Sequence, residues 1–173
     1  MYSDKKIPKL VVFDLDYTLW PFWVDTHVTP PFVKRNSSII DSHGKKVSSY
    51  PEVSKVLESF SRLGCDLALA SRTGEIDGAN QLVSLFGWEH FFKYKEIYPG
   101  SKIKHFQNFK RKANIKFEEM LFFDDEYRNI RDVSKLMVVC VLVDNGMTLE
   151  VMEHGLKQFS ASHHSTCEFS LSL

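Results

Sequence analysis

The sequence of 173 residues lacks the features of membrane proteins, secreted proteins and polyanion-binding proteins. It contains no run approaching the ~18 apolar residues that a membrane-spanning helix needs. Its first ten residues have no apolar segment of the kind found in signal peptides. Because 22 basic and 22 acidic residues balance, no excess positive charge indicates binding to nucleic acids or membrane surfaces. We expect a monomer that has neither nucleic acid nor membrane as a partner.

Cysteine is also scarce, with three copies at Cys65, Cys140 and Cys167. An odd number of widely spaced cysteines argues against the disulfide framework of small secreted domains. Cys65 and Cys140 lie in or beside apolar runs, where we expect reduced packing residues rather than catalytic ones. The pattern therefore predicts a cytoplasmic protein. What the sequence does contain is 43% apolar residues, enough for the core of one domain.

Apolar runs alternate with amphipathic segments along most of the chain. Strands are predicted at residues 10–13, 66–70, 92–98, 120–123 and 137–143, and helices at 51–63, 75–86, 102–113, 129–136 and 149–159. Strands that alternate with helices predict an α/β fold built from βαβ units. Its sheet is expected to be mostly parallel, with helices on both faces.

Residues 20–50 do not follow this alternation. They contain three prolines and one hairpin signal, in which strands at 38–41 and 45–47 flank a turn at 42–44. We therefore expect a small β-hairpin flap, inserted into one domain that spans residues 1–160. The composition then shifts to Ser and His, which predicts a disordered tail over residues 161–173.

Polar residues of complementary chemistry follow the predicted strands. They are, in chain order, Asp14, Asp16, Ser71, Arg72, Lys102, Asp124 and Asp125. Ligands of open α/β sheets bind outside the carboxyl ends of the strands, so these side chains should meet at one edge. Four carboxylates there would repel one another without a cation, and an all-oxygen ligand set favours Mg²⁺. The serine, arginine and lysine provide donors for phosphate oxygens.

Several of these residues have a structural alternative when taken alone. Asp14 could cap a turn, and Ser71 could cap the following helix. Lys104 lies two positions beyond Lys102, so the choice of lysine is open. The acidic pair could begin a helix instead of binding a metal. The set as a whole nevertheless favours a phosphoryl-transfer site.

The four motifs resemble those of the haloacid dehalogenase (HAD) superfamily in residue type, order and spacing. They are Asp14-Leu15-Asp16-Tyr17-Thr18 after a strand, Ser71 after a strand, Lys102, and Asp124-Asp125 after a strand. The segments Phe13–Trp23, Ala70–Thr73, Glu96–Lys102 and Phe122–Glu126 resemble more closely the eukaryotic magnesium-dependent phosphatases, a family of small HAD enzymes. The resemblance covers residues 8–160 and implies a single HAD-like, Rossmann-type domain, a Mg²⁺ cofactor and phosphatase activity.

The resemblance also implies a role for each motif residue. Asp14 would attack phosphorus to form an aspartyl-phosphate, and Asp16 would act as general acid and then as general base. Asp14 and the backbone carbonyl of Asp16 would bind Mg²⁺. Ser71 would donate to a phosphoryl oxygen, and Lys102 would bind both Asp14 and the phosphoryl group.

The choice of metal ligand within the acidic pair depends on alignment. Many family members have Gly-Asp at this point and a polar residue four positions after the Asp. This alignment makes Asp125 the ligand, with Asp124 a possible second one. It also places Asn129 where it could orient Asp125.

A flap of about thirty residues is too small for the large cap of a phosphomutase, so we expect an open cleft. Trp20, Phe22, Trp23 and Arg72 could line this cleft, although both tryptophans could instead pack the flap. The resemblance implies a phosphorylated small molecule or a phosphoprotein as substrate, either protein phosphotyrosine or phosphorylated sugars and their amine adducts. The alternatives are a catalytically inactive binding protein and a phosphotransferase.

Overall fold

The structure, a computed structural model, describes residues 5–168. These residues form a five-stranded sheet, a three-stranded sheet and five α-helices. The strands are β1 (Leu10–Phe13), β2 (Val33–Arg35), β3 (Ser38–Ile40), β4 (Lys46–Val47), β5 (Asp66–Ser71), β6 (Phe92–Ile97), β7 (Met120–Asp124) and β8 (Val139–Leu142). The helices are α1 (Val53–Arg62), α2 (Ile76–Leu85), α3 (Lys102–Ala113), α4 (Tyr127–Ser134) and α5 (Leu149–Glu168).

The central sheet has the order β6-β5-β1-β7-β8, and all its neighbouring strands are parallel. β1 lies in the middle, where Leu10 is in register with Asp66 of β5 and with Met120 of β7. The chain moves outward on one side of β1 through β5 and β6, and then on the other side through β7 and β8. Such a reversal opens a crevice at the carboxyl end of the central strand. The predicted α/β class and parallel sheet are confirmed.

Alternation of side chains along each strand divides the core into two layers. Val11 and Phe13 of β1 point to the face covered by α1, α2 and α5. Leu10 and Val12 point to the opposite face, covered by α3 and α4. All four side chains are fully buried, as expected for a parallel strand between two helical layers.

The flap differs from the predicted hairpin by one strand. β3 and β4 form that hairpin, and β2 adds to its other side, antiparallel to β3. Sequence patterns did not indicate β2 because all three of its residues are exposed. Asp41 stabilises the turn by accepting hydrogen bonds from the backbone amides of Thr29, His43 and Lys45. Burial would raise the pKa of Asp41, but these amides lower it below its ordinary value.

The last helix extends beyond its predicted end. α5 continues through residues 161–168, where the sequence indicated a tail, and residues 169–173 lie outside the described part of the chain. Cys65 and Cys140 are free thiols, and burial raises the pKa of each to about 12. Within residues 5–168, no helix has the length and apolar character of a membrane span.

Candidate active site

A cleft of about 260 Å³ opens where β1, β5 and β7 end. Its lining comprises Asp14, Asp16, Trp23, Asp25, Thr26, Ser71, Arg72, Thr73, Lys102, Glu126 and Asn129. The structure thus brings the polar residues that follow separate strands to one edge of the sheet. Asp124 lies beneath the cleft and is fully buried, and Asp125 lies beside Asp14.

The segment after β1 fixes the position of Asp14. Its backbone amide donates to the carbonyl of Phe123 at 3.0 Å, which continues the pairing of β1 with β7. The chain then turns through Tyr17, whose φ of +58° is unusual for a bulky residue. This turn brings the Thr18 hydroxyl to 3.2 Å from Asp14 Oδ2, to which it donates.

Lys102 begins α3 and lies between two carboxylates. Its Nζ donates to Asp14 Oδ1 at 2.7 Å and to Asp124 Oδ2 at 2.5 Å, with 1% of its side chain exposed. Lys104, two positions further along the helix, instead lies over the Tyr98 ring, with Nζ 6.0 Å from the ring centroid. The lysine in contact with the acidic residues is therefore Lys102.

The carboxylates of Asp14, Asp124 and Asp125 crowd together, with one oxygen of each within 4.8 Å of the others. Burial and the charge of Asp124 raise the pKa of Asp14, while Lys102 partly offsets them. Burial also raises the pKa of Asp125 to about 6. Three carboxylates facing one ammonium group leave an excess of negative charge. Oxygen ligands with this excess fit a hard divalent cation.

The two members of the acidic pair differ in their hydrogen bonds. Asp124 Oδ1 accepts from the amide of Glu126 at 2.8 Å, and Oδ2 accepts from Lys102 and from the Asn129 side chain at 3.1 Å. Asp124 is fully buried and accepts three hydrogen bonds from protein donors, whereas each Asp14 oxygen accepts one and Asp125 is half-buried beside Asp14. Asn129 was predicted to orient Asp125; its amide contacts Asp124 instead.

Trp20 holds Asp16 from inside the protein. Its Nε1 donates to Asp16 Oδ1 at 2.7 Å, and the amide of Val24 donates to the same oxygen at 3.2 Å. The indole is fully buried and stacks with Phe22 and Trp88. The prediction that Trp20 lines the cleft as a substrate-binding residue is not matched by its position, because the buried ring is not part of the cleft lining. Burial raises the pKa of Asp16 to about 6.

Trp23 is the tryptophan that lines the cleft, with 49% of its surface exposed. It stacks on His27 with 5.2 Å between ring centroids and meets Tyr17 edge to face at 5.8 Å. Asp25 and Thr26, in the same loop, also line the cleft. Sequence reasoning missed these two residues, since nothing in their spacing marks them.

Ser71 and Arg72 form the wall of the cleft after β5. The Ser71 hydroxyl accepts a hydrogen bond from the amide of Thr73 at 3.3 Å, so its own hydrogen is available to a ligand. Arg72 is half-buried and donates to the Asn129 side chain at 3.4 Å. Donors from β5 and from α3 therefore face the same space as Asp14.

Comparisons with known proteins agree with this geometry. A family model described as acid phosphatase matches residues 6–162. Magnesium-dependent phosphatase 1 of Homo sapiens is 53% identical over 167 residues, which are 96% of this chain and 95% of that protein. A HAD-like hydrolase superfamily protein of Schizosaccharomyces pombe is 39% identical over 150 residues, covering 80% of this chain and 87% of that protein.

Solved structures share the fold at low sequence identity. The CbbY protein of Rhodobacter sphaeroides, in complex with phosphate, superposes with a TM-score of 0.58 at 13% identity over 79% of this chain and 86% of its own. A phosphatase domain from Bacteroides fragilis, complexed with Mg, superposes with a TM-score of 0.59 at 15% identity. That match covers 89% of this chain and 40% of the other.

Proposed function

This chain belongs to the acid phosphatase family and to the HAD superfamily of phosphatases, and on that premise we propose that it hydrolyses phosphomonoesters with Mg²⁺ through a phosphorylated Asp14. The observation that supports this most is the placement of Asp14. Its carboxylate lies at the floor of an open cleft, held by Lys102 on one oxygen and by Thr18 on the other.

Asp14 and Asp125, with the backbone carbonyl of Asp16, are the residues that would hold Mg²⁺. The full burial of Asp124 and its three protein hydrogen bonds, against one on each Asp14 oxygen, favour Asp125 as the second carboxylate ligand, and Asp124 then orients Lys102. When bound, Mg²⁺ offsets the repulsion between the Asp14 carboxylate and a phosphate dianion.

In the first step, an Asp14 oxygen forms a bond to phosphorus while the bond from phosphorus to the leaving oxygen breaks. Asp16 gives its proton to that oxygen, and its raised pKa of about 6 keeps a protonated fraction available near neutral pH. The Ser71 hydroxyl and the Lys102 ammonium stabilise the phosphoryl oxygens.

In the second step, Asp16 accepts a proton from water as the water attacks phosphorus. The bond between phosphorus and Asp14 breaks, and orthophosphate is released. The Trp20 and Val24 donors hold one Asp16 oxygen, so that the other remains available for both proton transfers.

The cleft wall favours particular leaving groups. The exposed face of Trp23 suits a flat ring or the apolar face of a sugar, and Asp25 and Glu126 disfavour further negative charge. We therefore propose two substrate classes, protein phosphotyrosine and phosphorylated sugars with their amine adducts. A sugar ammonium group would be attracted by Asp25 and Glu126, whereas a phosphotyrosine ring depends mainly on Trp23.

The test is hydrolysis of para-nitrophenyl phosphate with Mg²⁺, with and without EDTA, by the wild type and by Asp14→Asn. We expect turnover that EDTA and the substitution each abolish. Turnover that survives both would refute the proposal, and no turnover would favour an inactive binding protein. Transfer of phosphate to an added sugar rather than to water would favour a phosphotransferase. A screen of phosphotyrosine peptides against sugar phosphates then ranks the two classes.

A further inference from the structure

His105 is a buried, polar side chain that the proposed reaction does not use. It lies on α3, one turn after Lys102, and is fully buried. Its ring stacks on the Tyr98 ring, with 4.2 Å between centroids and 11° between planes. A buried imidazole needs partners for its polar atoms, so its surroundings indicate what it stabilises.

Three backbone carbonyl oxygens surround the two ring nitrogens of His105. Nε2 lies 3.1 Å from the oxygen of Ser71 and 3.1 Å from that of Tyr98, and Nδ1 lies 3.0 Å from the oxygen of Ser101. Carbonyl oxygens only accept, so a contact stabilises only where the nitrogen has a hydrogen. Burial, together with the Lys102 charge, lowers the pKa of His105 and favours the neutral ring with a single N–H. A hydrogen on Nε2 serves two carbonyls, whereas one on Nδ1 serves only Ser101.

The carbonyls near Nε2 belong to two different parts of the active site. Ser71 ends β5 and directs its hydroxyl toward the cleft. Tyr98 lies in the loop from β6 to α3, and α3 begins at Lys102. The amide of Tyr98 also donates to the Ser71 carbonyl at 3.1 Å. His105 and this amide therefore join the β5 end to the loop that precedes Lys102.

We propose that His105 is a positioning residue, whose Nε2–H holds the phosphate-binding Ser71 in place relative to Lys102. The proposal rests on the proposed function, since phosphate must bind between these two side chains. Without the Nε2–H contact, the β5 end and the loop can shift apart. A misplacement of ~1 Å at a reacting centre costs on the order of a hundredfold in rate.

Two conservative substitutions distinguish the contribution of Nε2 from that of Nδ1. The side-chain nitrogen of His105→Gln reaches approximately the position of Nε2, and that of His105→Asn reaches the position of Nδ1. We expect His105→Gln to retain most of the wild-type kcat/KM on para-nitrophenyl phosphate. We expect His105→Asn and His105→Leu to lose roughly 10- to 100-fold. Orthophosphate affinity, measured by calorimetry with Mg²⁺, should follow the same order and weaken about tenfold without the Nε2 donor.

Phe109→Leu is the matched control, because Phe109 is a buried residue on the same helix that packs on Phe106. It should lower the unfolding temperature while leaving kcat/KM and phosphate affinity unchanged. The proposal would be overturned if His105→Asn, rather than His105→Gln, retained the wild-type kcat/KM. It would also be overturned if both the Asn and the Gln variant bound orthophosphate as tightly as the wild type. If His105→Leu does not fold, the Gln and Asn variants decide. If the wild-type protein binds orthophosphate but hydrolyses no substrate, the proposed function is refuted. The phosphate affinities of the His105 variants, measured by calorimetry, would still test the role of His105.

Discussion

Replacing Lys102 by methionine should destabilise the protein far more than a typical lysine substitution. The Lys102 side chain is 1% exposed, and its partners Asp14 and Asp124 are 10% and 0% exposed. Methionine has nearly the same length but no charge, so the variant leaves two buried carboxylates without their cation. Removing one partner of a buried ion pair costs about 3–5 kcal/mol in unfolding free energy.

This loss is a large fraction of the ~5–15 kcal/mol that stabilises a typical domain. For a chain of this size, 1 kcal/mol corresponds to about 2–4 °C in unfolding temperature. Lys102→Met should therefore lower that temperature by roughly 6–20 °C. Added Mg²⁺ should reduce the deficit, because a cation at Asp14 and Asp125 replaces part of the missing charge.

Asp14→Asn should have the opposite effect on stability. Burial and the Asp124 charge raise the pKa of Asp14, so its ionised form is unfavourable in the folded protein. Asparagine removes that charge and can still bond to Lys102 and Thr18. We expect an unfolding free energy equal to or above that of the wild type, although activity is lost.

Urea denaturation at pH 7 in EDTA, repeated with Mg²⁺, measures these differences. Lys104→Met is the matched control, since Lys104 is exposed on the same helix and should change stability by less than ~0.5 kcal/mol. A Lys102→Met variant as stable as Lys104→Met would refute the account of the buried charges. So would an Asp14→Asn variant that is destabilised as much as Lys102→Met.

Four further substitutions test the flap, the general acid, the cleft wall and the buried indole that supports Asp16. The lowered pKa of Asp41 means that its ionised form stabilises the protein above its ordinary pKa of ~4, and that this contribution is lost as pH falls through the lower folded-state pKa. The unfolding temperature of Asp41→Asn should thus lie below that of the wild type at pH 7 and approach it in acid; a gap that widens in acid would contradict this. Asp16→Asn should lose about 10²–10⁴-fold in kcat/KM on an alkyl phosphate and less on para-nitrophenyl phosphate, whose leaving group needs little protonation; equal losses would argue against the acid role. Trp23→Ala should raise KM for aryl phosphates about 2- to 10-fold with kcat retained, because it removes an aromatic contact worth ~0.5–1.5 kcal/mol. Trp20→Phe should instead lower kcat, because it removes the hydrogen bond that holds Asp16. Steady-state kinetics measures both, and a lower kcat in Trp23→Ala with a raised KM in Trp20→Phe would contradict these roles.

Short-range patterns in the sequence were sufficient to predict where the central strands end and which polar residues follow them. The alternation of side chains along the strands also indicates which acidic residue meets Lys102. Asp14 and Asp124 each come two residues after a side chain on the α3 face, Val12 and Phe122 respectively. Both therefore point toward the helix that begins with Lys102, while Asp125 does not.

Other features depend on contacts that are distant in sequence. No pattern in the sequence distinguishes Trp20 from Trp23. Trp20 is buried because it packs against Trp88, and from there it donates a hydrogen bond to Asp16. The partners of His105 are carbonyls of β5 and of a separate loop, which no periodicity reveals. β2 has no apolar alternation and exists because β3 offers a free edge.

The central claim is that Asp14 itself becomes phosphorylated during turnover. The most direct measurement is peptide mass spectrometry of the protein, acid-quenched during turnover of para-nitrophenyl phosphate with Mg²⁺. Asp16→Asn should be examined in parallel, because its slow second step lets the intermediate accumulate. The account predicts one phosphoryl group on Asp14 and none in the presence of EDTA. Steady turnover without a protein-bound phosphoryl group, or with the group on another residue, would contradict it.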